Sequence, residues 1–259
     1  MAPRIDFTTI DTTTIEGLPP APSPDMSHRY LFVDTKKVVD DMADLGFTVA
    51  GFRRPRYRTE AGAFGLHEVD FRRPQDVNKA DDEAPRVLFL NTYDGSRKAQ
   101  LVSGVIRFIC MNGMLAGTVL QNNKFIHLQD YESQLLDGIK AAGEVASKVF
   151  DRIETFKSTK LDRPTLIKMA AEARALRFSE DEDLDVQPQH LLMPRRREDA
   201  KQDLWTAWNV LQENLLKGGV PGRDKGGKVR TIRPLNQIQK SNDLNRGLWD
   251  LLEKYGAAA

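Results

Sequence analysis

The stretch that most constrains the fold is Arg86 to Met114, in which two apolar runs flank a polar turn. Val87, Leu88, Phe89 and Leu90 lead in, and Leu101, Val102, Val105, Ile106, Phe108 and Ile109 lead out. Asp94-Gly95 lies between them, and an Asp-Gly pair between β-branched and aromatic runs predicts a β-hairpin, because glycine takes the positive φ that such a turn needs. The spacing predicts a second turn at Asn112-Gly113. Strands this apolar should be covered on both faces, which places the hairpin at the centre of a core.

The chain on either side supplies layers. Residues 1–28, rich in Thr and Pro, read as a flexible arm. Tyr30 to Val33 reads as a short strand. Asp34 or Thr35 can cap a helix that ends at Gly46, with Val38, Val39, Met42 and Leu45 on one face. Phe47, Val49 and Phe52 alternate into a strand, and Phe64, Leu66, Val69 and Phe71 follow. Gly117 to Leu128 is a further strand or an irregular return. From Tyr131 to about Phe156, apolar residues recur at spacings of three and four, which predicts the longest helix. Asp162 and Pro164 suit the start of another. Glu198 to Lys217 reads as a helix with Leu204, Trp205, Trp208, Leu211 and Leu215 turned inward, and Ser241 to Tyr255 as one that buries Leu244, Leu248, Leu251 and Leu252. The expected fold is therefore α+β: a bent antiparallel sheet over roughly 30–128 with a central hairpin, backed by the long helix, plus a C-terminal helical layer. The expected divisions are a flexible arm at 1–28, a core domain at 29–178, an acidic-then-basic linker at 179–197, and a helical subdomain with a basic Gly-rich loop at 198–259.

Residues in both halves match a known pattern. Asn91, Asp94-Gly95-Ser96, Arg107, Cys110, Asn112-Gly113-Met114 and His127 form one block. Leu204-Trp205, Asn209, Gln212-Glu213-Asn214, Gly218-Gly219, Arg233-Pro234 and Leu244-Asn245-Arg246 with Leu248-Trp249 form the second. With these residues the chain resembles the phage/plasmid-like domain-of-unknown-function family of YafZ/YfjQ/YubP type. The resemblance implies a mobile-element setting and no defined reaction.

Charge narrows the partners. The formal net charge is only +1, so binding to nucleic acid must come from local patches. Two patches stand out. Residues 51–73 carry six Arg against Glu60, Glu68 and Asp70, a local net of +3. There Arg53, Arg54, Arg56, Arg58, Arg72 and Arg73 interleave with Tyr57 and other aromatics, which suits a groove that tracks phosphates and stacks bases; the alternative is a solvated sheet face. Residues 218–246 carry seven cations against Asp224 and Asp243, a local net of +5, with Arg223, Lys225, Lys228, Arg230 and Arg233 on a Gly-rich arm. Arg107 lies in an apolar strand, where it either pairs with Asp94 or faces a phosphate groove.

Reactive constellations are weak. Gly222-x4-Gly227-Lys228 matches a phosphate loop except at Val229, where the metal-binding hydroxyl is missing. Cys110 with His127 could be imagined as nucleophile and base, but a cysteine in an apolar strand is usually an inert core residue. His67 with Glu68 and Asp70 lacks the rest of a nuclease signature, and the four histidines show no metal-ligand spacing. A single cysteine forbids an internal disulfide, no run is long and apolar enough for a membrane helix, and a cytoplasmic place is expected.

The function this predicts is non-catalytic binding of nucleic acid, without metal or cofactor. Single-stranded DNA is the first partner, duplex DNA or RNA the alternatives, and replication, recombination or annealing the setting. A homo-oligomer is expected, and a replication protein of host or phage is a further candidate partner. The rival is a protein-interaction factor that modulates a host enzyme; a metal-dependent nuclease-like enzyme is the third reading. A hairpin-rich sheet backed by a long helix is similar in architecture to single-strand annealing recombinases, at the level of fold alone.

Overall fold

A computed structural model describes residues 13–28, 30, 32–55, 59–77, 83–107, 112–114, 122–124, 137, 149, 151–178 and 184–257. The fold is α+β, and its contacts divide the chain into two units: residues 1–109 with 117–146, and residues 110–116 with 147–259.

The first unit opens with a short helix, α1 (Thr13–Glu16). Helix α2 (Thr35–Asp44) follows, capped by Asp34, whose side chain accepts from the Lys36 N–H at 3.0 Å. Gly46 ends it at φ 81°. Strand β1 (Thr48–Arg53) pairs with β2 (His67–Arg72), with a bulge between Val49 and Gly51. After the short helix α3 (Pro74–Val77), β3 (Glu83–Asn91) and β4 (Gln100–Arg107) form the predicted hairpin. The antiparallel order is β1-β2-β3-β4.

Both faces of the hairpin are covered, since Val87 to Asn91 are all buried. On one face Val69, Phe71, Val87, Phe89 and Leu101 form a core with Val38 and Met42 of α2. Ile15 and Leu18 join that core, and the Ser23 N–H bonds the Tyr93 carbonyl at 2.8 Å. The arm expected to be free is therefore packed onto its own sheet from residue 13, because its few apolar residues find a place there. Gly95 makes the expected turn at φ 67°, stabilised by Asp94 Oδ1, which accepts from the Ser96 N–H at 2.9 Å.

Two expectations fail here. The described residues of Tyr30–Val33 are not a strand; the Val33 carbonyl instead accepts from Asn91 Nδ2 at 2.8 Å, which uses it outside any ladder. Gly113 lies not in a turn but within a short strand, β5 (Asn112–Met114). The return expected at 117–128 includes β6 (Asn122–Lys124), which pairs with β4.

Of the long helix expected at 131–157, residues 137, 149 and 151–158 are described, and all are helical. We label the segment 151–158 α4. Helix α5 (Arg163–Ala175) has Asp162 as its cap, which accepts from the Thr165 N–H at 2.9 Å, and Pro164 in its first turn. Strand β7 (Leu184–Asp185) and α6 (Pro188–Leu191) follow. Helix α7 (Leu204–Lys217) starts six residues after the expected Glu198, because Asp203 caps it: Oδ1 accepts from the Thr206 N–H at 2.7 Å. A 3-10 turn at Arg197–Ala200 occupies the difference. Strands β8 (Pro221–Asp224) and β9 (Val229–Thr231) precede α8 (Ile238–Ala257).

The core of this second unit is aromatic. Trp205 and Trp208 stack with centroids 5.4 Å apart, and Trp249 meets Trp208 edge-on at 6.4 Å and Phe156 of α4 at 6.1 Å. The buried Trp208 N–H donates to the Leu248 carbonyl at 2.6 Å. Helix α5 packs on α6, α7 and α8, so residues 163–175 belong with the C-terminal helices and not with the sheet.

Candidate nucleic-acid interface

The Gly-rich basic segment folds as a hairpin. Strand β8 pairs antiparallel with β9, with Pro221 opposite Thr231 and Arg223 opposite Val229, and β7 flanks β8. Its tip is ordered by one carboxylate. Asp224 Oδ1 accepts from the Gly226 N–H at 3.1 Å and the Lys228 N–H at 2.9 Å, and Gly227 supplies the left-handed φ of 79°. Its root is fixed by Gly219 N–H to Ile232 carbonyl at 2.8 Å and Ile232 N–H to Val220 carbonyl at 2.9 Å, with Val220 and Ile232 buried. Gly222 is required by packing: a Cβ there would fall 2.8 Å from the Asp185 carbonyl oxygen.

This geometry leaves Arg223, Lys225, Lys228, Arg230 and Arg233 exposed on a short, anchored projection. From 221 to 233 they stand against Asp224 alone, a local net of +4. Arg230 Nε reaches Asp224 Oδ2 at 2.8 Å, and Arg223 donates to the Gly227 carbonyl at 3.1 Å. These contacts hold the side chains near the strands without burying their charge. Val229, 58% exposed, adds an apolar spot between them. The segment that resembles a phosphate loop is thus the turn of a hairpin, with no helix after Lys228 to direct its amides at a phosphate.

The other expected patch is used differently. Arg53 Nε and one terminal nitrogen both meet Glu68 Oε1 at 2.7 Å. Arg72, nearly fully buried, bonds Asp70 at 2.7 Å, and the buried Arg86 reaches the same oxygen at 3.4 Å. Arg54 donates to the Gly17 carbonyl at 3.4 Å, and the Arg73 guanidinium lies 5.0 Å from the Phe47 ring centroid. Arg53 and Arg72, expected to hold phosphates, are therefore partners of carboxylates on the neighbouring or same strand. Burial is the main cause that draws the Arg86 guanidinium below its usual range, opposed by Asp70. Arg56, Tyr57 and Arg58 lie outside the described residues, as do Cys110 and His127.

Arg107 ends β4 opposite Glu83, whereas Asp94 sits beyond the Leu90–Gln100 end of the same hairpin. At about 3.3 Å per residue their backbones are roughly 20 Å apart, at opposite ends of the hairpin.

His67 does not join Glu68 and Asp70. Alternation along β2 turns it to the α2 side, where its Nε2 meets Thr35 Oγ1 at 2.7 Å. Its Nδ1 faces the Gly65 carbonyl at 3.2 Å, which can only accept, so Nδ1 carries the proton and Nε2 accepts from the threonine. Burial is the chief cause that lowers the imidazole to about 4. No group of three metal-ligating side chains occurs among the described residues.

One feature was not visible in the sequence. A concavity of about 310 Å³ is lined by His190, Met193, Pro194, Arg195, Asn214, Gly219, Val220 and Pro221, at the root of the basic hairpin. Its residues come from four separate segments, and Asn214 is one of several buried polar residues of α7 that nothing in the sequence sets apart.

Comparison with known proteins places these features in a family. Residues 25–249 match the family described as Domain of unknown function (DUF932). The chain is 31% identical over 233 residues to the UPF0380 protein YfjQ of Escherichia coli (strain K12), covering 88% of this chain and 82% of that protein. It is 31% identical over 229 residues to the UPF0380 protein YafZ of the same organism, with the same coverage. No solved structure matches.

Proposed function

We propose, from the premise that this chain belongs to the DUF932 family, that it is a non-catalytic nucleic-acid-binding protein whose principal contact is the β8–β9 hairpin. The observation that carries this reading is the local net of +4 on an exposed, anchored projection, in a chain whose overall net charge is +1. A narrow projection with cations on its strands and tip can follow a phosphate backbone without reading base sequence. Single-stranded DNA is the favoured partner, because bases that are not already stacked can meet Val229 and the arginine planes. The proposal extends to a cytoplasmic setting in a phage or plasmid, in replication, recombination or annealing. It also extends to self-association, since one copy offers few phosphate contacts and repetition along a strand multiplies them.

The β1–β2 arginines are left out of the contact surface in this reading, because Arg53 and Arg72 already neutralise Glu68 and Asp70. The test is a gel shift at low salt with single- and double-stranded DNA. The parent chain should retard single strands. The variant with Arg223, Lys225, Lys228 and Arg230 all replaced by Gln should not, while melting at the parent temperature. Unchanged retardation by that variant would remove the hairpin from the interface, and no retardation by the parent would favour the protein-interaction reading.

A further inference from the structure

We propose that the concavity at the root of the hairpin is a nucleotide subsite, with a phosphate group held by Arg195 and the attached sugar and base against the apolar wall. The inference deepens the nucleic-acid reading and rests on it.

Arg195 is a fixed cation. Its Nε donates to Asn214 Oδ1 at 2.9 Å, and one terminal nitrogen donates to the Gly218 carbonyl at the end of α7. Asn214 is itself immobilised, for its Nδ2 donates to the Leu191 carbonyl at 2.9 Å and the Met193 carbonyl at 3.0 Å. The guanidinium is therefore oriented by neutral acceptors alone, and no carboxylate pairs with it among the described residues. Its charge is aimed but not cancelled, and a planar fork in that state is suited to a phosphate.

The backbone beside it keeps the approach open. Gly219 adopts φ 80°, and a Cβ there would sit 3.8 Å from an Arg195 terminal nitrogen. Glycine thus leaves that side of the guanidinium uncovered. A helix-capping role for Arg195 would explain its bond to the Gly218 carbonyl, yet it would not require a concavity beside the cation.

The remaining wall is apolar: Met193, Pro194, Val220 and Pro221, with His190 as the one aromatic ring in the lining. A volume of about 310 Å³ lies at the lower end of the range of about 300–1,000 Å³ found for small-ligand sites, so it suits one nucleotide unit and not a folded partner. Pro221 is both part of this wall and the first residue of β8. Pro221 shares its face of the hairpin with Arg223, two residues on, so a strand whose phosphate meets Arg223 would reach the concavity with its next nucleotide.

The test uses the full chain, a 3′-labelled oligothymidylate with either a 5′-phosphate or a 5′-hydroxyl, and thymidine monophosphate as competitor, read by fluorescence anisotropy. Two variants are compared. Arg195→Lys keeps the charge but loses the fork. Met193→Trp fills the mouth from a residue that is 59% exposed, so the fold should tolerate it. Each is expected to weaken oligonucleotide binding about tenfold and to abolish competition by the monophosphate. A preference for the 5′-phosphate would identify a strand end as the occupant; equal binding of both oligonucleotides would identify an internal phosphate.

Wild-type affinity and competition in Met193→Trp would overturn the inference, whatever Arg195→Lys does. If the neutralised hairpin variant loses DNA while both pocket variants bind normally, the subsite fails and the functional reading stands. If no oligonucleotide binds but the monophosphate binds and Met193→Trp loses it, the functional reading fails and the site takes a free nucleotide.

Discussion

His67 is held neutral because burial outweighs the opposing pull of the Gly65 carbonyl and Asp94, and both ring nitrogens bond neutral groups. With Thr35 donating to Nε2 and Nδ1–H donating to the Gly65 carbonyl, a second ring proton would displace the threonine and charge a buried site. Its folded value of about 4 lies below the ordinary 6.5. Above about pH 6.5 both folded and unfolded chains carry neutral imidazole, and the contribution is fully present. As pH falls from about 6.5 toward 4, the unfolded chain takes the proton first, so stability is lost across that window, by roughly 3 kcal/mol at most. Denaturant unfolding of the parent and His67→Gln at pH 7 and pH 4.5 should show the parent losing more. Parallel pH profiles would contradict the assigned tautomer and burial. The residue also shows what sequence leaves unread. His67, Glu68 and Asp70 look like one cluster in a string of letters, yet the period of two places His67 on one face and both carboxylates on the other. Likewise, the arginines of β1 and β2 look solvated until the partner strand is known. Asp70 receives both Arg72 and Arg86, so Asp70→Ala should cost about 3–5 kcal/mol by leaving two cations buried without it. A loss below 1 kcal/mol, roughly the value of a surface pair, would show that the ion cluster is solvated instead.

Elements were legible where a local chemical signal fixes them. Asp34 and Asp162 cap the helices they precede, Gly46 and Gly95 take positive φ, and the apolar hairpin strands pair as expected. The misplacements came where two signals compete. Helix α7 could begin at any polar residue between Glu198 and Asp203; the bonds from Thr206 N–H and its hydroxyl to Asp203 decide the matter, at 2.7 and 2.9 Å. Asp203→Ala should accordingly destabilise the chain by about 1–2 kcal/mol, measured by chemical denaturation, and a neutral result would show that the cap is redundant. The Asn112-Gly113 pair reads as a turn on local chemistry but lies in a strand, since turn propensity is a weak constraint once pairing is available. The basic arm was legible as charge and glycine; that it is a rigid hairpin follows from the pairing of β7, β8 and β9, which couples residues about 40 positions apart in sequence. The concavity beside it has no sequence period at all, because its lining is assembled from α6, α7 and the loops that follow them.

For the whole molecule, the decisive quantity is how a chain with net charge +1 could hold a polyanion. The two units differ in what they do with their cations. In the first, Arg53, Arg72 and Arg86 are paired with Glu68 and Asp70; in the second, five hairpin cations are exposed against the single carboxylate Asp224. Family membership covers both, since the match runs from residue 25 to 249. No helix among the described residues is long and apolar enough to cross a membrane. If binding works by repeating the hairpin along a strand, sedimentation should show a homo-oligomer whose size grows on adding oligothymidylate; a strict monomer in both states would remove self-association from the proposal.

Phosphate binding by the hairpin is tested by the salt dependence of single-strand binding for the parent and for the variant with Arg223, Lys225, Lys228 and Arg230 changed to Gln. Each phosphate contact on a single strand contributes about −0.7 to the slope of log affinity against log salt. The expected result is a steep slope for the parent and one shallower by about 3 for the variant, with affinity falling on every sequence alike. Equal slopes for the two proteins would contradict it.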